Sequence, residues 1–244
     1  MIDLTSGWAS DVGRVRNGNE DASFAGRRVF VVADGMGGHA AGEVASRLAV
    51  EAMRELDARP GVLAPEAVAE AVIAANHEIL AHGRRYPRTM GMGTTLTGIV
   101  LVGEPGSEAL AVVNIGDSRV YRRSGDALER MTIDHSEVEE LVADGIITAE
   151  QARVHPMRNV VTRCLGMRFG AEPDAYTVDA VPGDRWLVCS DGLSGEVWDA
   201  DLAEILTRAE GPQEIADALV AAALEAGGHD NVTVVVVDIA DGPG

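Results

Sequence analysis

The sequence predicts an α+β fold: two packed sheets with helices on their outer sides. Three observations predict it. Several strand-length runs are apolar at nearly every position, so both of their faces must be covered. Helix patterns come in pairs, one pair early and one late. Between the pairs run strands with no helices separating them, an order that a doubly wound parallel sheet does not produce.

The elements follow in chain order. Strands are predicted at 29–33 (VFVVA), 95–102 (TLTGIVLV), 109–115 (ALAVVNI), 118–122 (SRVYR), 185–189 (RWLVC) and 232–239 (VTVVVVDI). After the first strand, Ala45, Leu48, Ala49, Ala52, Met53 and Leu56 keep the spacing of one apolar helix face. Val68, Val72, Ala75 and Ile79 do the same behind Pro65, a residue suited to a helix start. A helical insert is predicted near 136–155. The late pair falls at about 200–208 and 212–226, with Ile215, Leu219, Ala222, Ala223 and Ala226 as its buried stripe. No repeat or low-complexity linker interrupts the 244 residues, so a single domain over 1–244 is expected.

Bulk composition narrows the function. The net charge of −19 repels nucleic-acid phosphates, so nucleic acid is not the expected partner. Two cysteines, Cys164 and Cys189, make no disulfide framework and suit a reducing cytoplasm. No run of 18 apolar residues marks a membrane span, and the opening MIDLTSGWASD lacks the pattern of a signal peptide.

One stretch admits two chemistries. In VFVVADGMGGHAAGE (29–43), the segment Gly35 to Ala40 fits the G-x-G-x-x-G/A pattern between a strand and a helix. That reads as a dinucleotide loop, but the fingerprint needs a parallel strand after the helix, and a second helix pattern follows instead. The other reading starts from the aspartates. Asp34 ends VFVVA, Asp117 follows AVVNIG, Asp191 follows WLVCS, Asp230 precedes NVTVVVV, and Asp21 lies in RNGNEDA. Asp34-Gly35 and Asp191-Gly192 are also hairpin signals, yet helix patterns rather than strands follow both. Strand-end carboxylates from two packed sheets can converge on one edge. Two such charges ~4 Å apart repel by about 4 kcal/mol at an effective dielectric of ~20, so convergence calls either for protonation of some of them or for divalent cations. All-oxygen ligands select Mg²⁺ or Mn²⁺, and no zinc spacing is present. Two ions ~3.5–4 Å apart suit phosphoryl chemistry.

Eight segments then resemble, in order, the metal-dependent protein serine/threonine phosphatases of type 2C in their bacterial form. They are DVGRVRNGNEDA (11–22), VVADGMGGHAAGEVAS (31–46), MGTTL (92–96), NIGDSRVY (114–121), DHS (134–136), HPMRNVVTRCLG (155–166), CSDGLSGEV (189–197) and GGHDNVTVVVV (227–237). The resemblance implies a four-layer α-β-β-α sandwich of two antiparallel sheets flanked by helix pairs. It implies two Mn²⁺ or Mg²⁺ ions in a cleft at one edge and a third, weaker one. Asp34 would bridge the two ions, with the Gly35 carbonyl and Asp21 beside it and Asp191 and Asp230 on the first ion. Asp117 and Asp191 match the third position. Arg16 matches the arginine that grips the substrate phosphate, a task its planar fork suits. A flap insert at about 134–166 would border the cleft. Animal members carry a histidine directly after the Asp-Gly pair as proposed general acid; Met36 stands here, and His39 is the candidate left for that role.

The implied reaction is hydrolysis of phosphoserine and phosphothreonine in proteins by a metal-bridged hydroxide, with no covalent intermediate. The implied partners are phosphorylated proteins, including Ser/Thr kinases, met by a monomer in the cytoplasm. Three rivals stay open at this point: a phosphoprotein-sensing module without turnover, a nicotinamide enzyme, and a two-metal nuclease.

Overall fold

The computed structural model describes residues 1–37 and 41–242. The chain runs β1 (Ile2–Asp11), β2 (Asp21–Ala25), β3 (Val29–Met36), α1 (Ala41–Ala58), α2 (Glu66–Arg85), β4 (Gly93–Thr94), β5 (Leu96–Val102), β6 (Ala109–Ile115), β7 (Arg119–Ser124) and β8 (Ala127–Arg130). It continues through α3 (Glu137–Ala143), α4 (Ala149–Arg153), β9 (Asp174–Asp179), β10 (Arg185–Cys189), α5 (Asp191–Ser194), α6 (Asp199–Leu206), α7 (Pro212–Ala226) and β11 (Val232–Asp241).

Every strand pair is antiparallel. One sheet has the order β1-β11-β10-β7-β8; the other has β2-β3-β5-β6-β9, with short β4 also on β3. Alternation along the strands builds the layers. Phe30, Val32, Ile99 and Val112 of the second sheet meet Val120, Trp186, Val188 and Val235 of the first in the central layer. The intervening residues face outward. Val29, Val31, Ala33 and Val100 pack under α1 and α2, where Ala45, Ala49, Met53, Val72 and Ile79 cover them. Leu187, Cys189, Val234 and Val236 pack under Leu202, Ile215 and Leu219 of α6 and α7. This is the four-layer sandwich, and it explains why the central strands are apolar on both faces. Among the described residues no helix is long and apolar enough to cross a membrane.

Five strands escape the sequence pattern. β1 alternates apolar and polar residues only over its first positions, β2 is half-buried throughout, β4 has two residues, β8 closes a tight hairpin, and β9 is an exposed edge. The run 95–102 is broken at Thr95, whose hydroxyl accepts from the Asp34 N–H at 2.9 Å and lies 2.8 Å from the Ser118 hydroxyl. Antiparallel neighbours on both sides of β3 remove the dinucleotide reading, because that fold needs a parallel crossover. The glycines serve packing instead. A Cβ on Gly42, in the first turn of α1, would stand 2.7 Å from the Gly35 carbonyl carbon; one on Gly35 would stand 2.3 Å from the Gly42 carbonyl oxygen. Two glycines therefore let the helix start rest on the strand end that carries Asp34.

Gly42→Ala should cost about 1–3 kcal/mol in guanidinium unfolding, the usual range for overpacking. An unchanged midpoint would show that this contact is looser than described.

Candidate metal centre

The candidate carboxylates gather where the two sheets meet. Asp21 and Asp34 are register partners across β2 and β3. Asp34 is fixed at its backbone: Thr95 N and Thr94 Oγ1 donate to its carbonyl at 2.9 and 2.8 Å. Asp191 opens α5 directly after β10, and Asp230 precedes β11. Asp117 lies in the β6–β7 turn, behind Gly116 at φ 111°, a left-handed conformation that favours glycine.

Several polar side chains pin these positions. Ser190 Oγ donates to Asp21 Oδ2 at 2.8 Å and accepts from Thr233 N at 3.0 Å, so it links the end of one sheet to a carboxylate on the other. Asn231 holds the loop that carries Arg16. Its amide nitrogen donates to Val12 O and Gly18 O, both at 2.9 Å, and its oxygen accepts from Glu20 N at 2.8 Å. His135 clamps the Asp117 turn: its N–H donates to Gly116 O at 2.9 Å, and its Nδ1 accepts from Gly116 N at 3.1 Å. Two residues past Asp117, Arg119 reaches both oxygens of Asp134 at 2.6–3.1 Å.

Burial and like charge act together on the cluster. Burial, then the charges of Asp191 and Asp230, push Asp21 up to about 7 against hydrogen bonds from Thr233 and Ser190. Burial first, then Asp21, Asp191 and Asp117, raise Asp34 well above the usual carboxylate range. Asp117 is raised by burial and by Asp191, and Asp191 by burial and by Asp230. The charge of Asp191 is among the causes that raise Asp34, so the two carboxylates disfavour each other's ionised form. Asp21 Oδ1 and Asp191 Oδ1 are buried with no hydrogen-bond partner. Orphaned buried oxygens are rare and ask for a donor or a cation. Among the described residues no three His, Cys, Asp or Glu side chains already close into a cage. The carboxylates form instead an open row, electrostatically coupled, which a divalent cation would draw in. An all-oxygen donor set with orphaned atoms fits Mn²⁺ or Mg²⁺.

The other expected residues fall as follows. Arg16 joins the group, its Nη2 donating to Asp230 Oδ2 at 2.6 Å. Gly35 N–H is held by Glu20 O at 3.2 Å, beside Asp34. His39 lies outside the described residues. Arg14 binds Leu224 O, away from the row. Arg163 pairs with Asp174 at 3.0 Å and also meets His135 Nε2. Cys189 is core. Sequence reasoning missed Ser190, Asn231, Thr94, Thr95 and His135, whose only signal is adjacency to the aspartates.

A cavity of about 390 Å³ opens from Asp117 and Asp191 and runs beneath α3 and α4 to Trp198. Arg153 of α4 closes its far side. It stacks 3.9 Å from the Trp198 ring centre and donates to the carbonyls of Ser194 and Gly195 at the end of α5.

Comparison with known proteins places this geometry. A family model described as protein phosphatase 2C matches residues 16–225. The serine/threonine protein phosphatase PstP of Mycobacterium tuberculosis is 45% identical over 95% of this chain, and the chain spans 44% of that relative's length. The serine/threonine phosphatase stp of Listeria innocua is 36% identical over 94% of this chain and 93% of its own length. The crystal structure of M. tuberculosis PstP/Ppp superposes with a TM-score of 0.91 at 44% identity, covering 98% of this chain and 100% of that one. The catalytic domain of PstP in complex with two manganese ions superposes at 0.90 and 42% identity, covering 99% and 100%. With two antiparallel sheets, a carboxylate row at their edge and a family match across most of its length, the chain belongs to the protein phosphatase 2C family.

Proposed function

We propose that this chain is a metal-dependent phosphatase that hydrolyses phosphoserine and phosphothreonine in proteins, Ser/Thr kinases among them. The observation that carries the reading is the coupled row Asp21–Asp34–Asp191–Asp117 with its two orphaned oxygens. It is supported by the relatives named serine/threonine phosphatase and by the manganese-bound PstP structure.

Asp34, Asp21, the Gly35 carbonyl, Asp191 and Asp230 would hold two ions, and Asp117 with Asp191 would hold a third, weaker one. Bound Mn²⁺ or Mg²⁺ would supply a water of lowered pKa and neutralise charge on the phosphate. The chain's own part is positional. Thr94, Thr95 and Ser190 fix the carboxylates, so they need little reorganisation when a phosphate arrives. Arg16 spends one N–H on Asp230 and is half exposed, which leaves donors for phosphate oxygens. The Asp230 hydrogen bond keeps that guanidinium charged and aimed. His39 is the candidate proton donor to the leaving serine or threonine oxygen. The proposed setting is a reducing cytoplasm, with which two free cysteines are compatible, and the proposed state is a monomer.

Phosphate release from a phosphothreonine peptide should require Mn²⁺ or Mg²⁺ and stop with chelator. Asp191→Ala should lower kcat/KM by about 10³-fold, several kcal/mol of charge stabilisation. Wild-type protein that releases no phosphate at any metal concentration would end the phosphatase reading and favour a sensing module. Arg16→Ala should act mainly on KM, raising it about tenfold, with Arg16→Lys recovering only part because the fork is lost.

Stability should depend on pH in a defined direction. Asp21, Asp34, Asp117 and Asp191 are raised in the folded state, so between about 4 and about 7 the native protein holds more protons than the unfolded chain. The metal-free protein therefore loses stability as pH rises through that window. Its Tm should fall from about pH 5 to about pH 7.5, and saturating Mg²⁺ should remove most of the fall. Asp191→Asn should raise the metal-free Tm at the upper pH and weaken the metal response. A pH-independent metal-free Tm would mean that the carboxylates are too solvated to couple.

A further inference from the structure

Charge is unevenly placed along this chain. All 20 basic side chains are arginines, set against 39 carboxylates. Two stretches of more than twenty residues contain no carboxylate: 79–103, with Arg84, Arg85 and Arg88, and 151–171, with Arg153, Arg158, Arg163 and Arg168. The other thirteen arginines are scattered among every acidic residue of the protein.

The fold sets these two stretches side by side. Thr94 and Leu165 exchange backbone hydrogen bonds at 3.1 and 2.9 Å. Asn76 of α2 donates to Met167 O at 3.1 Å and accepts from Gly166 N at 2.7 Å. The seam adjoins the carboxylate row, since Thr94 holds the Asp34 carbonyl and β4 pairs with Gly35 and Met36. Arg163 and Arg153 are occupied inside the fold, one by Asp174 and the other by carbonyls and Trp198. Arg84, Arg85, Arg88, Arg158 and Arg168 are exposed, and among the described residues they form no ion pair; Arg158 lines the cavity under α3 and α4, and Arg85 lies 5.4 Å from the Tyr86 ring centre. Large apolar side chains stand open among them: Met90 is 68% exposed and Phe169 84%.

We propose that this ridge docks an acidic segment, with an apolar anchor residue, of the same phosphoprotein whose phosphorylated residue enters the carboxylate row. The inference rests on the phosphatase reading. Charge complementarity selects the occupant. The net charge of −19 disfavours an acidic partner on the body at large, and guanidinium forks without a carboxylate partner beside an exposed aromatic match carboxylates and an apolar side chain. Adjacency lets one chain reach both places, so docking raises the effective concentration of the phosphoresidue at the row. An anionic membrane is the poorer occupant: four arginines on one edge would have to hold a body of otherwise strong negative charge against like charge.

The test uses the Mn²⁺-loaded protein and three substrates: p-nitrophenyl phosphate, a phosphothreonine peptide with Asp/Glu-rich flanks, and the same peptide with Ser/Gly flanks. Wild type should prefer the acidic peptide through KM, and the preference should fade in high salt. The quadruple variant R84Q/R85Q/R88Q/R168Q should lose about tenfold in kcat/KM on the acidic peptide only. Phe169→Ser should lose a smaller part of the same preference, with Tm unchanged in both. No wild-type preference, or an equal loss on all three substrates, overturns the docking surface. Fluorescence anisotropy of an unphosphorylated Asp/Glu-rich peptide reads docking without turnover. Peptide binding that the quadruple variant loses supports the ridge even where no substrate is hydrolysed, and that result would sink the phosphatase reading alone. Tighter binding to phosphatidylglycerol vesicles than to the peptide would reassign the ridge to a membrane.

Discussion

Mutual repulsion among largely buried carboxylates is the constraint on which the rest of this structure depends. Asp21, Asp34, Asp117 and Asp191 come from four different chain segments and are all raised above the usual carboxylate range. Left to electrostatics, such groups would separate into solvent. They stay together because the sandwich holds their backbones. Asp34 lies two residues before the end of a strand buried on both faces, and Asp191 begins a helical turn directly behind another. Hydrophobic burial on each sheet thus supplies the restoring force against the charge, and a local weakness becomes affinity for divalent cations.

The junction between sheets is made by small polar side chains rather than by apolar packing. Ser190 spans from β10 to Asp21, and Asn231 ties β11 to the loop bearing Arg16. Thr94 and Thr95 hold Asp34 from the other flank. These bonds cross between segments distant in sequence and leave few freedoms at the edge. A site that stabilises charge gains from such rigidity, because its dipoles are set before substrate arrives.

That division explains what could be read from the sequence. The central strands were legible because both faces are apolar, and the helix pairs because their stripes are regular. β9 was not, since it is an exposed edge with little apolar pattern, and β1 mixes small and polar residues in the way a loop does. The aspartates stood out as carboxylates abutting apolar runs. Ser190, Asn231 and His135 carry no such mark: each is an ordinary polar residue whose work is done across the fold. The glycine run misled toward a nucleotide loop for a physical reason. Close approach of helix to strand needs glycine whether or not a phosphate lies above it, and here Gly35 and Gly42 meet each other.

The exclusive use of arginine belongs to the same logic. Arg28 donates to the carbonyls of Asp57, Arg59 and Gly61. Arg185, largely buried, donates to those of Leu206, Arg208 and Glu210 while gripping Asp238 at 2.6 and 2.8 Å. One planar fork fastens several loop ends at once, which a lysine ammonium on its flexible stem does poorly. Arg28 and Arg185 are therefore fasteners rather than surface charge. Arg27, Arg59 and Arg208 are also exposed without an ion pair among the described residues, but Arg84, Arg85, Arg88 and Arg168 stand in carboxylate-free stretches that meet at the seam beside the row. Their field opposes that of the body. Residues that hold nothing inside the molecule are the ones available to hold something outside it.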